Sequence, residues 1–119
     1  MLSSCRLSVP IEVQQLDDGR IAIATKGGDP APCIKSIVIV EAPREGYVRS
    51  DAKKLWDLHI YPDVNSNIAC KSRILYPDFP KNYYLESVPV RLEAGHKYRI
   101  MVDGPGYGSG TDFVPTKVP

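Results

Sequence analysis

Helical periodicity is missing from this chain. No segment of its 119 residues keeps apolar positions at a 3.6-residue spacing. Leu and Met are scarce, at 8 and 2 residues, whereas Ile and Val together number 21, and these β-branched side chains suit a pleated, half-buried surface. No apolar run approaches the length of a membrane-spanning helix. Charge of one sign is also lacking, since 15 basic and 14 acidic residues leave a net charge of +1. That balance removes the field a nucleic-acid binder uses for counterion release, and it gives no attraction to an anionic membrane. The composition is not that of a disordered chain: Val, Ile, Leu and Phe make up 31 residues and Gly plus Pro 20. The length fits one core, so one domain over residues 7 to 119 is expected, preceded by a short stretch of residues 1 to 6.

What is present reads as strands. Leu7, Val9, Ile11 and Val13 alternate with other residues, and Pro10 inside that run assigns it to a sheet edge, because proline cannot donate to a ladder. Asp17-Asp18-Gly19 marks a turn, and Ile21 and Ile23 resume the alternation, which predicts a hairpin over residues 7 to 25. Ile34 to Val40 is nearly continuous and β-branched, as in a central strand. Residues 41 to 53 are polar and punctuated, hence a loop. Trp56, Leu58 and Ile60 alternate, a strand follows Cys70 with Ile74 and Tyr76 inward, and residues 84 to 90 read as extended. Residues 103 to 112, with four glycines, read as a loop leading to a last strand at Phe113.

Sites of chemistry are few. Gly108-Ser109-Gly110 lacks the outer glycines of a serine-hydrolase elbow, and Gly104, Gly106, Gly108 and Gly110 do not form a dinucleotide-binding loop, having no following helix. The only two histidines are His59 and His96. Asp57 and His59 share one face of a strand, which reads as a solvent-facing pair. No Cys has a second Cys or a His at ligand spacing, so neither a metal nor another cofactor is expected, and neither is catalysis. Tyrosine is more suggestive. Tyr47, Tyr76, Phe79, Tyr83 and Tyr107 fall in or beside loops at 43 to 51, 76 to 84 and 103 to 112, where aromatic anchors among polar residues suit the binding of a protein partner. The plainer alternative is that these tyrosines cover strand ends.

Two local patterns resemble known ones. Leu92-Glu93-Ala94-Gly95-His96-Lys97-Tyr98, followed by Ile100 and Val102, resembles the tyrosine corner of immunoglobulin-like and fibronectin-type sandwiches. With short strands about every ten residues, it predicts an all-β antiparallel sandwich of seven or eight strands, with Tyr98 buried and hydrogen-bonded to upstream backbone. Leu2-Ser3-Ser4-Cys5 resembles a bacterial lipobox, which implies an apolar signal segment before Leu2, a lipid on Cys5 and anchorage to a bacterial membrane in the periplasm. In that oxidising compartment the remaining Cys33 and Cys70 would tend to pair; two buried free thiols are the alternative.

The lipobox, the apolar strand after Cys33, the Trp56-led strand, Cys70, the corner at Tyr98 and the closing Phe113 strand together resemble small periplasmic lipoproteins grouped as type VI secretion immunity proteins. The resemblance implies a tethered inhibitor that binds a toxic effector. A structural or assembly lipoprotein of the cell envelope is the alternative.

Overall fold

The β-branched alternation described above is realised as eight short strands in a computed structural model that describes residues 9–28, 30–44, 46–62 and 70–119. In chain order they are β1 (Ile11–Gln15), β2 (Ile21–Thr25), β3 (Ser36–Glu41), β4 (Trp56–Ile60), β5 (Arg73–Tyr76), β6 (Tyr83–Leu85), β7 (Tyr98–Gly104) and β8 (Tyr107–Phe113). A three-stranded sheet runs β1-β2-β5 and a five-stranded sheet β6-β4-β3-β7-β8, every neighbouring pair antiparallel. The result is an all-β antiparallel sandwich of two sheets. No helix forms among the described residues.

Period-two alternation decides what lies between the sheets. Ile21, Ile23, Ile74 and Tyr76 of the small sheet face Ile37, Ile39, Trp56, Leu58, Ile100 and Val102 of the large one. The Trp56 and Tyr76 rings meet edge to face, with centroids 4.9 Å apart. β1 is an edge strand, as Pro10 required. The turn after it holds Gly19 at φ 95°, while the Asp18 carboxylate accepts from the Arg20 backbone N–H and side chain.

The corner forms as expected. Tyr98 is buried, and its hydroxyl accepts the Glu93 backbone N–H at 2.8 Å. Cys33 and Cys70 are joined as a disulfide, their Cα atoms 5.6 Å apart. Beside this link Ile34 and Lys71 form a single antiparallel bridge between the entrances of β3 and β5, so covalent and hydrogen-bonded ties join the two sheets at one point.

Two segments differ from expectation. Residues 103 to 112 are not a loop but most of the β7–β8 hairpin, whose tip is Pro105-Gly106 with Gly106 at φ 77°. Glycine's weak strand preference hid β8 in the sequence. Gly108 and Gly110 lie within the strand and not at the hairpin tip. Of the extended stretch expected over 84 to 90, only Tyr84 and Leu85 lie in a strand, β6.

The first and last described stretches are held by side chains. Ser109 hydroxyl accepts the Val9 N–H at 3.1 Å and donates to the Val9 carbonyl at 2.6 Å. Gln15 Nε2 donates to the Gly19 and Lys117 carbonyls, and its Oε1 accepts the Thr116 N–H at 2.7 Å. Leu2 to Cys5, the lipobox-like stretch, lies outside the described residues.

Replacing both Cys33 and Cys70 by Ser should lower unfolding stability by up to about 4 kcal/mol, the chain-entropy value for a loop of this size. Tyr98→Phe, which leaves the Glu93 N–H without its acceptor, should cost about 1 to 3 kcal/mol. Urea denaturation of each variant measures both, and an unchanged midpoint for Tyr98→Phe would rule out a structural corner.

Candidate functional site

The aromatic residues expected to bind a partner divide by position in the sandwich. Tyr76, Tyr83 and Tyr107 are buried, so they are corrected here from surface anchors to core residues, whereas Tyr47 and Phe79 are exposed. The reason lies in their hydroxyls. Tyr83 donates to the Ile34 carbonyl at 2.6 Å and accepts the Lys71 N–H at 2.9 Å, and Tyr107 donates to the Cys33 carbonyl at 2.6 Å. A tyrosine ring with a satisfied hydroxyl is a good core residue. Gly104 makes the Tyr107 placement possible, since a Cβ there would collide with the Tyr107 ring and the Cys33 carbonyl.

The three candidate loops do not form one patch. The loop carrying Tyr47 lies near Arg99, whose Nη1 donates to the Gly46 carbonyl at 3.3 Å. The β7–β8 tip lies at the other end, where Pro105 shares a cleft with Pro30, Pro32, Cys33 and Cys70. Phe79 sits in the crossing from β5 to β6 and turns its ring toward Trp56, 6.4 Å away. Beneath the Tyr47 loop is a cleft of about 490 Å³ lined in part by Val48, Leu55 and Val90.

The densest group of reactive side chains lies on the outer face of the five-stranded sheet. β4 turns Trp56 and Leu58 inward and therefore Asp57 and His59 outward. Antiparallel pairing of β4 with β6 sets Tyr84 opposite His59, and the Glu86 N–H donates to the Asp57 carbonyl just past the end of β6. Asp57 Oδ1 is 2.5 Å from His59 Nε2, and Glu86 Oε2 is 3.5 Å from the same nitrogen. Lys54 Nζ is 3.6 Å from the other Asp57 oxygen. Tyr84 lies 5.9 Å from the His59 ring and 4.7 Å from the ring of Tyr61, between centroids. Desolvation first, then the charges of Glu86 and Asp57, pushes the Tyr84 hydroxyl above its ordinary pKa.

Asp57 is not the solvent-facing residue that its place on the strand suggested. Only 4% of its side-chain surface is exposed, against 31% for His59 and 57% for Glu86. The Asp-x-His pattern on a strand was the available signal for this pair. Glu86 and Tyr84 were not legible, because only the β4–β6 register brings them alongside.

Comparison with protein-family models, curated proteins and solved structures found no match to this chain.

Burial pushes the Tyr107 hydroxyl up to about 12, with the nearby Asp103 charge adding to the shift. Burial likewise raises Tyr76 and Tyr83. A tyrosine whose pKa is raised by folding favours the protonated state. Its contribution to stability is complete below the ordinary value near pH 10 and, for Tyr107, is lost as pH climbs toward about 12. Ultraviolet titration should therefore show Tyr107 ionising well above the ordinary tyrosine value, and Tyr107→Phe should flatten the fall in stability above pH 10. A titration of the folded protein in which Tyr107, identified by its loss in Tyr107→Phe, ionised at the ordinary tyrosine value would contradict its buried placement.

Proposed function

We propose that this domain is a lipid-anchored binding protein of the bacterial periplasm that captures a toxic effector delivered by type VI secretion and blocks it. The observation that carries the proposal is the Cys33–Cys70 pair, because a disulfide of this kind persists in oxidising compartments and not in the reducing cytosol. The Leu2 to Cys5 pattern adds the anchor, since a lipidated Cys5 tethers the domain through its N-terminal side. The sandwich suits the role. A rigid scaffold needs only a complementary surface to inhibit a partner.

That surface draws on the aromatics that the fold leaves outside. Tyr47 and Phe79 remain from the original set, in separate loops, whereas Tyr61 and Tyr84 lie together beside the Asp57–His59–Glu86 group. In such surfaces a few aromatic anchors hold most of the affinity.

The test is periplasmic co-expression with the candidate effector encoded next to this gene. Survival of the cells and a stable complex are expected. Tyr47→Ala or Tyr61→Ala should weaken the complex roughly thirtyfold, the equivalent of about 2 kcal/mol at one hot spot. No protection and no complex would replace effector capture with the envelope-assembly role.

A further inference from the structure

The side chains of Asp57, His59 and Glu86 each offer one ligand atom, and these three atoms all lie within 4.8 Å of one another. One imidazole thus stands between two carboxylates. A single Nε2 proton can point at only one of them, yet Asp57 Oδ1 and Glu86 Oε2 both converge on that nitrogen, at 2.5 and 3.5 Å. Asp57 is also a carboxylate withdrawn from water on the outer face of a sheet, and with Lys54 on one oxygen its other oxygen is held toward His59 and Glu86.

We propose that Asp57, His59 and Glu86 bind one divalent cation of the zinc class, with water in a fourth position. The donor set of one imidazole nitrogen and two carboxylate oxygens is among those zinc accepts, and three protein ligands leave one position open. Tetrahedral zinc with bonds near 2.0 Å separates its donors by about 3.3 Å, so Asp57 and His59 need to part by less than about 1 Å. His59 and Glu86, both partly exposed, have room to make that adjustment. The surroundings already orient the ligands. Lys54 engages the Asp57 oxygen that does not face His59, and the register of β4 with β6 sets Tyr84 opposite His59. Partners of this kind fix ligand geometry around metals. The site goes beyond effector capture and does not depend on it.

Isothermal titration of the full chain with zinc chloride at pH 7.5 tests the site. The chain carries Cys5→Ser, which removes the one thiol outside the Cys33–Cys70 pair. One equivalent of zinc should bind, and a thermal melt should shift upward with zinc and return with a chelator. His59→Ala and Glu86→Gln should each weaken binding at least tenfold, whereas His96→Ala, which removes the only other imidazole, should leave it unchanged. Glu86 is exposed, so Glu86→Gln reports on the site without threatening the fold. Absence of zinc binding would overturn the proposal. So would affinity that is unchanged in either His59→Ala or Glu86→Gln, or binding that is lost in His96→Ala.

Discussion

The carbonyl groups of Cys33 and Ile34 are where the sandwich is held shut. Each leads into β3, the middle strand of the large sheet, and each is caught by a tyrosine hydroxyl, Tyr107 on Cys33 and Tyr83 on Ile34. The disulfide from Cys33 and the bridge from Ile34 then reach Cys70 and Lys71, just before β5 of the small sheet. Backbone acceptors at a strand entrance would otherwise be left for water to satisfy. Here two buried phenols take them, and the same phenols fill space between the layers. One short stretch of backbone therefore fixes the spacing of the sheets and the positions of β6 and β8.

This arrangement also determines what the outside of the large sheet offers. Because Tyr83 must point inward to reach Ile34, its neighbour Tyr84 points outward, and the register with β4 sets it opposite His59. The group around Asp57 is thus a consequence of how the inner face is satisfied. On the same outer face Arg99 of β7 pairs with Asp112 of β8, at the far edge of the sheet.

Much of the fold was readable from residue order. The alternation of Ile21 with Ile23 and of Trp56 with Leu58, the proline at position 10 and the Leu92 to Tyr98 spacing each carry a local physical signal, and each appears as read. β8 was not readable, because Gly108 and Gly110 have no side chains to show a period, and its partner β7 supplies the pairing instead. The tyrosines misled for a different reason. Tyr has an apolar ring and a polar tip, so it suits an interface or a core with a spare carbonyl, and sequence does not reveal the carbonyls of Cys33 and Ile34 as acceptors. Glu86 beside Asp57 is a fact of register across 29 residues of chain, beyond the reach of any short motif.

The two side-chain clamps near the chain ends give the domain a mechanical polarity. β1 and β8 run side by side in one direction, with Val9 held by Ser109 at the start of both and residues 116 and 117 held by Gln15 at the finish of both. Force applied between Val9 and Pro119 therefore pulls along these terminal strands and not across them. The links outside the ladders that carry it are few: the Ser109 hydroxyl at Val9, the Lys26 N–H on the Pro10 carbonyl, the Gly95 N–H on the Pro115 carbonyl, and at residues 116 and 117 the Gln15 amide and the Lys117 ammonium on the Asp17 carbonyl. A domain stretched from its ends would shed its two tails first, while the disulfide-tied centre stays folded.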